Sequence, residues 1–157
     1  MKKLRFSLAQ PDEAMTDLVR KSDHKTLAGW AIDCANRVLP FFEQDFPEDL
    51  RPRQALETLQ AWIETGVFQM AVIRGASLAS HAAARDVGAD TPARSAARAA
   101  GQAVATAHVP AHAIGAARYA QQALYRAASA QNAAASVAKE RDWQYQRLLD
   151  LHENRSL

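Results

Sequence analysis

Between Ala76 and Ala138 nearly every second residue is alanine. Alanine is the best helix former but buries little apolar surface, so such a stretch folds as thin helices and the bulk of the core has to come from elsewhere. The large side chains flank it, with Trp30, Trp62 and Trp143 in three different segments. Gly75, Gly101 and Gly115 fall inside predicted helices, where glycine costs up to ~1 kcal/mol relative to alanine. Close approach of helix backbones at those positions would offset that cost. The expected fold class is therefore all-α: a single-domain bundle of about six helices with a tightly packed Ala/Gly-rich central layer. No strand pattern or internal repeat competes with it.

Start and stop signals divide the chain. Pro11-Asp12-Glu13 offers a first-turn proline and carboxylates for a short helix ending near Lys21, so residues 1–22 form an N-terminal segment packed on a domain of residues 23–157. Asp23 can cap a second helix whose apolar stripe is Leu27, Trp30, Ala31, Cys34, Val38, Leu39 and Phe42, and which Pro40 kinks or ends. Pro52 opens a third helix that packs through Leu56, Leu59, Ala61, Trp62 and Ile63 and closes at Gly66. A fourth is predicted from Val67 to Val87, ending at Gly88. Thr91-Pro92 starts a fifth. Pro110, without an amide hydrogen, either kinks that helix or begins a new one running to Ala128. Asn132 caps a last helix reaching Leu151.

A chain of 157 residues fits one domain, which at that size buries about two thirds of its unfolded surface. The single cysteine excludes an internal disulfide, and the first residues, Met1-Lys2-Lys3-Leu4-Arg5-Phe6, hold no apolar run of signal-peptide length. No stretch approaches the roughly 20 apolar residues of a membrane helix. A cytoplasmic protein with no membrane partner is expected. The net charge is +2, but eight acidic against four basic residues lie between Asp23 and Glu64, and seven basic against two acidic between Val67 and Lys139. Helices with complementary surfaces would explain that split. The basic part lacks the dense cations interleaved with aromatics that a nucleic-acid site needs, so nucleic acid is not an expected partner.

Polar side chains in so bland a background are the candidates for a site. His108 and His112 are four apart, a spacing that on a straight helix places both imidazoles on one face and can bridge a metal. Pro110 lies between them and no carboxylate follows either one, so His81, His108 and His112 are metal candidates by spacing alone and no cofactor is assigned. His81 and Arg85 share a face, as do Asp33 and Arg37, which read as an intrahelical ion pair worth ~0.3–0.5 kcal/mol. Tyr119 lies seven beyond His112. The candidate ligand- or partner-binding cluster is Asp33, Arg37, His81, Arg85, His108, His112 and Tyr119, with no catalytic residue assigned. Cys34 sits within the apolar stripe and reads as a buried small hydrophobe rather than a nucleophile. Trp143 lies off the Val137, Leu148, Leu151 stripe, which suits either an exposed interface or packing on the first helix.

Longer motifs carry a resemblance. Lys25-Thr26-Leu27-Ala28, Trp30-Ala31-Ile32-Asp33-Cys34-Ala35-Asn36-Arg37-Val38-Leu39-Pro40 and Arg51-Pro52-Arg53 resemble a family of bacterial immunity proteins of the immunity-five-like type. His81-Ala82-Ala83-Ala84-Arg85 and Ala105-Thr106-Ala107-His108-Val109-Pro110-Ala111-His112-Ala113 are similar to the same family, so the resemblance spans roughly Asp23 to Ala128. In this chain Val109-Pro110 follows the first of the paired histidines where a small or polar residue is expected. The resemblance implies an all-helical, non-catalytic protein whose partner is a toxin, bound and neutralised by surface affinity. Two other readings stay open: a small metal- or ligand-binding helical enzyme using His81, His108 and His112, with Arg85 steadying an anionic substrate, and a helical homo-oligomer with glycine and alanine faces in contact.

Overall fold

The computed structural model describes Phe6 and residues 12–156, the side chains of 155 and 156 excepted, and its regular structure among these residues is entirely helical. The order is α1 (Glu13–Lys21), α2 (His24–Asn36), α3 (Leu39–Asp45), α4 (Arg51–Thr65), α5 (Met70–Val87), α6 (Pro92–Ala105), α7 (His112–Ala127) and α8 (Ala133–Ser156). Among the described residues eight helices replace the expected six or so, because the chain breaks near both Pro40 and Pro110 instead of kinking. Pro40 falls in the first turn of α3, where its missing amide hydrogen needs no partner, and the break itself lies at Arg37 and Val38. Before Pro110, α6 already ends at Ala105, and residues 106–111 turn the chain into α7.

Local chemistry sets most boundaries. The Asp12 and Asp23 carboxylates accept from the amides of Met15 (3.3 Å) and Thr26 (2.7 Å), each satisfying an otherwise orphaned helix donor. Pro11 lies outside the described residues. Gly66 (φ 70°) and Gly88 (φ 79°) terminate α4 and α5 in the left-handed conformation that a side chain would strain. Helix α5 begins at Met70, three residues later than Val67 suggested, which leaves Val67 and Phe68 in the connection.

Helix α6 lies among α2, α3, α4, α5 and α7. Its buried positions are Ala93, Ser95, Ala96, Ala97, Ala99, Ala100, Gly101, Ala103 and Val104, none larger than valine. Two serines of α5 reach its backbone directly: Ser77 Oγ donates to the Gly101 carbonyl (2.9 Å) and Ser80 Oγ to that of Ala97 (2.7 Å). A serine hydroxyl extends only two atoms from its own main chain, so these bonds require the two helices to run nearly in contact. The bulk comes from neighbours, with Trp30, Leu39, Phe42, Leu59 and Leu148 fully buried.

Buried Gln144 of α8 joins three helices. Its amide nitrogen donates to the Ala117 carbonyl (2.9 Å), its amide oxygen accepts from Gln121 (2.8 Å), and its own carbonyl accepts from the Trp30 indole (2.9 Å). Polar groups in a core are tolerated when satisfied in this way.

The glycines differ in what surrounds them. A Cβ on Gly101 would lie 2.7 Å from His81 Nε2, and one on Gly115 2.7 Å from Gln102 Oε1; around exposed Gly75 nothing lies within 4 Å, so close packing does not explain that residue. Gly101→Leu should therefore overpack the α5–α6 seam and lower stability by about 1–3 kcal/mol. Gly75→Ala should raise it by up to ~1 kcal/mol through helix propensity. Thermal or denaturant melts of the two variants against the parent check both signs.

Candidate functional site

Helices α5 and α6, the 106–111 turn and the start of α7 border an open cavity of about 230 Å³ whose lining includes Met70, Ile73, Arg74, Leu78, His81, Gln102, His108 and His112. The three histidines thus meet at one groove, but not by the route their spacing suggested. His108 lies in the turn and His112 is the first residue of α7, so the two do not share a helix across Pro110.

Each histidine is held differently. His81 Nδ1 lies 3.1 Å from an Arg98 guanidinium nitrogen. A guanidinium can only donate, so Nδ1 accepts and the imidazole is neutral with its proton on Nε2. Burial, then the charges of Arg98 and Arg85, push its pKa down to about 4. The edge carrying Nε2 rests in the space left by the absent Cβ of Gly101. His112 Nδ1 donates to the Gln102 amide oxygen (2.9 Å), and that amide occupies the corresponding space at Gly115. Burial first, and His108 second, lower the His112 pKa. His108 is exposed and stacks on Phe68, with ring centroids 6.3 Å apart.

Among the described residues no Asp or Glu lines the groove. Among the described residues no group of three or more His, Cys, Asp or Glu is arranged to hold a metal ion. The three histidines that spacing offered as metal candidates are engaged instead with Arg98, Gln102 and Phe68.

Asp33 and Arg37 lie elsewhere, in a second recess shared with Asn36, Trp143, Gln146, Arg147 and Asp150. The expected intrahelical pair does not form. Arg37 reaches α8, where its Nε donates to both oxygens of Glu140 (2.9 Å each), and Asp33 accepts from Arg147 Nε (2.9 Å). Glu140 is buried, so its carboxylate draws Arg37 across the helix interface. The Arg37 guanidinium also lies 3.8 Å from the centre of the Trp143 ring, covering one of its faces. Between these pairs Cys34 is fully buried, and burial, then Glu140 and Asp33, raise its pKa well above that of an ordinary thiol. It is a protonated core residue.

The remaining candidates are separate again. Arg85 is exposed one turn beyond His81, and Tyr119 packs against the core near Arg126, lining neither recess. The charge split between the two stretches does not produce the expected pairing. The Arg51–Asp86 bridge (2.8 Å) joins them with the opposite polarity.

Sequence reasoning missed the surface beside the groove. Phe68, Met70, Leu78 and Val109 are large apolar residues left exposed there, Leu78 by 60%, while exposed Val67 and Val72 line a separate cavity with Thr58 and Trp62 of α4. Exposed large hydrophobics gathered beside a groove make this face a candidate interaction surface. Arg98 and Gln102 were missed as well, although Gly101 and Gly115, costly inside helices, mark where His81 and Gln102 are seated.

Residues 17–151 match the family described as Imm-5 like putative immunity protein. The chain belongs to this family. The matched span covers both recesses and the exposed apolar residues. No curated protein and no solved structure matches the chain. No helix among the described residues is long and apolar enough to cross a membrane.

His81 gives a pH test. Its folded pKa of about 4 lies below the ordinary value of 6.5, so between these limits the unfolded chain binds a proton that the folded chain refuses. Stability is then complete above pH 6.5 and falls as the pH drops toward 4. Melts across that range should show the decline, and His81→Gln should remove this residue's share of it. In Gly101→Ala the displaced ring should titrate nearer 6.5 by NMR; an unmoved titration would argue against the Gly101 seat.

Proposed function

We propose that the chain is a cytoplasmic immunity protein that binds and neutralises a bacterial toxin, without catalysis, through the α5 groove and the apolar surface around it. The observation that carries this reading is the concentration of exposed large side chains, Phe68, Met70, Leu78 and Val109, around a groove of preorganised histidines. Protein interfaces are built from such an apolar centre with fixed polar groups at its edge, and a few anchors supply most of the affinity. His81, Arg85, His108 and His112 are the polar anchors in this reading. Asp33, Arg37 and Tyr119 serve the scaffold. No contact in the groove favours the enzyme alternative, because no carboxylate stands among its lining residues to pair with a histidine as base.

Inhibition by affinity asks only that the toxin's working surface be covered. The test is protection of cells expressing the cognate toxin, sought first among products of adjacent genes. Phe68→Asp and Leu78→Asp, both at exposed positions, should leave stability within about 0.5 kcal/mol of the parent. They should weaken toxin binding at least tenfold, about 1.4 kcal/mol, and abolish protection. Full protection by both variants would remove the groove from the interface.

A further inference from the structure

The groove has a charge pattern that narrows what can occupy it. From Thr65 to Arg85, and again from Thr91 to Lys139, the chain contains no aspartate or glutamate. The two carboxylates between these stretches are already engaged, Asp86 with Arg51 (2.8 Å) and Asp90 with Arg94 (3.0 Å) and Arg126 (3.5 Å). Arg37, Arg53 and Arg147 also have carboxylate partners, whereas Arg74 and Arg85 have none among the described residues. Arg98 meets His81 instead of an acid. With His81 and His112 held neutral at pH 7, the positive charge along this face belongs to arginines.

These arginines alternate with apolar residues along one line. Met70, Arg74, Leu78, His81 and Arg85 follow one another at intervals of four, four, three and four, which places them on a single face of α5. The line is about 22 Å long at 1.5 Å per residue. Met70, Arg74, Leu78 and Arg85 are exposed, and the cavity bounded by Met70, Ile73, Leu78 and Ala105 opens beside them.

We propose that this face binds an acidic amphipathic helix of the toxin, with carboxylates about 16 Å apart meeting Arg74 and Arg85 and an apolar side chain between them entering the cavity. The proposal rests on the reading of the groove as the toxin-binding surface. An amphipathic helix suits a straight helical groove that offers apolar anchoring sites between charges. The matching charges steer encounter and fix register, and their contribution weakens with salt.

The probe is a pair of synthetic helical peptides. One carries glutamates eleven residues apart with leucines between them, and the other has lysines in place of the glutamates. Titration of the full chain, followed by NMR at low and high salt, should show saturable shifts at the Met70 and Leu78 methyls and the His108 and His112 rings with the acidic peptide alone. Affinity should fall at least tenfold in 0.5 M salt and at least tenfold in the double variant R74E/R85E, with R74Q/R85Q intermediate and all melting temperatures unchanged. Equal binding of both peptides, no binding of either, shifts confined to another face or indifference to R74E/R85E would overturn the proposal. So would a mass that rises with concentration and returns to monomer in R74E/R85E, which would assign the face to a second copy. The toxin-protection assay stands apart: protection lost in L78D but retained in R74E/R85E would uphold the groove reading while rejecting the acidic helix.

Discussion

The structure depends on α6 being thin. Its buried side chains are alanines, one serine, one glycine and one valine, and along the α5 seam the neighbouring helix comes close enough to meet its backbone. That closeness lets Ser77 and Ser80 hydrogen-bond α6 carbonyls and lets the His81 ring lie against Gly101. The candidate site is a by-product of the same constraint. The His81 ring fills space that a side chain at Gly101 would have occupied, and the 106–111 turn brings His108 to the same groove. A groove prepared in this way suits recognition, since little side-chain entropy remains to be lost on binding.

Around this axis the larger helices are fixed by polar contacts that admit one register. Helix α2 offers an acid and a base, Asp33 and Arg37, to a base and an acid on α8, Arg147 and Glu140. Exchanging the partners would set Asp33 against Glu140 and Arg37 against Arg147, so like charges oppose the alternative. Burying Glu140 is unfavourable in itself, and its bonds to Arg37 offset that desolvation. Gln144, one turn beyond Glu140, adds bonds to α7 and accepts the Trp30 indole. The second recess is in this sense a seam between helices, and the α5 groove is the face left without a partner.

Much of this fold was legible in the sequence. Asp23, Pro52, Gly66, Gly88 and Pro92 lie where their local chemistry placed them, because caps and first-turn prolines act within a few residues. Pro40 and Pro110 were ambiguous because kink or break is decided by what packs alongside. For the candidate site, the three histidines singled out by spacing do line one groove, but by a different route. His81, His108 and His112 meet through the turn at 106–111, whereas helical spacing would have joined only the last two. The partners of Asp33 and Arg37 lie more than a hundred residues away on α8, beyond any local pattern. The exposure of Phe68 and Leu78 was equally hidden, since an apolar residue at helical spacing reads as core until the neighbouring helices are seen to leave it uncovered.

Central to the proposed function is which face a toxin would meet. Amide hydrogen exchange of the chain, free and bound to a toxin that it protects against, addresses this directly without altering a residue. Protection gained on binding should concentrate in residues 67–85 and 105–112 and leave α2 and α8 unchanged. Protection centred on the Arg37–Trp143 recess, with α5 exchanging as in the free chain, would contradict the assignment of the groove.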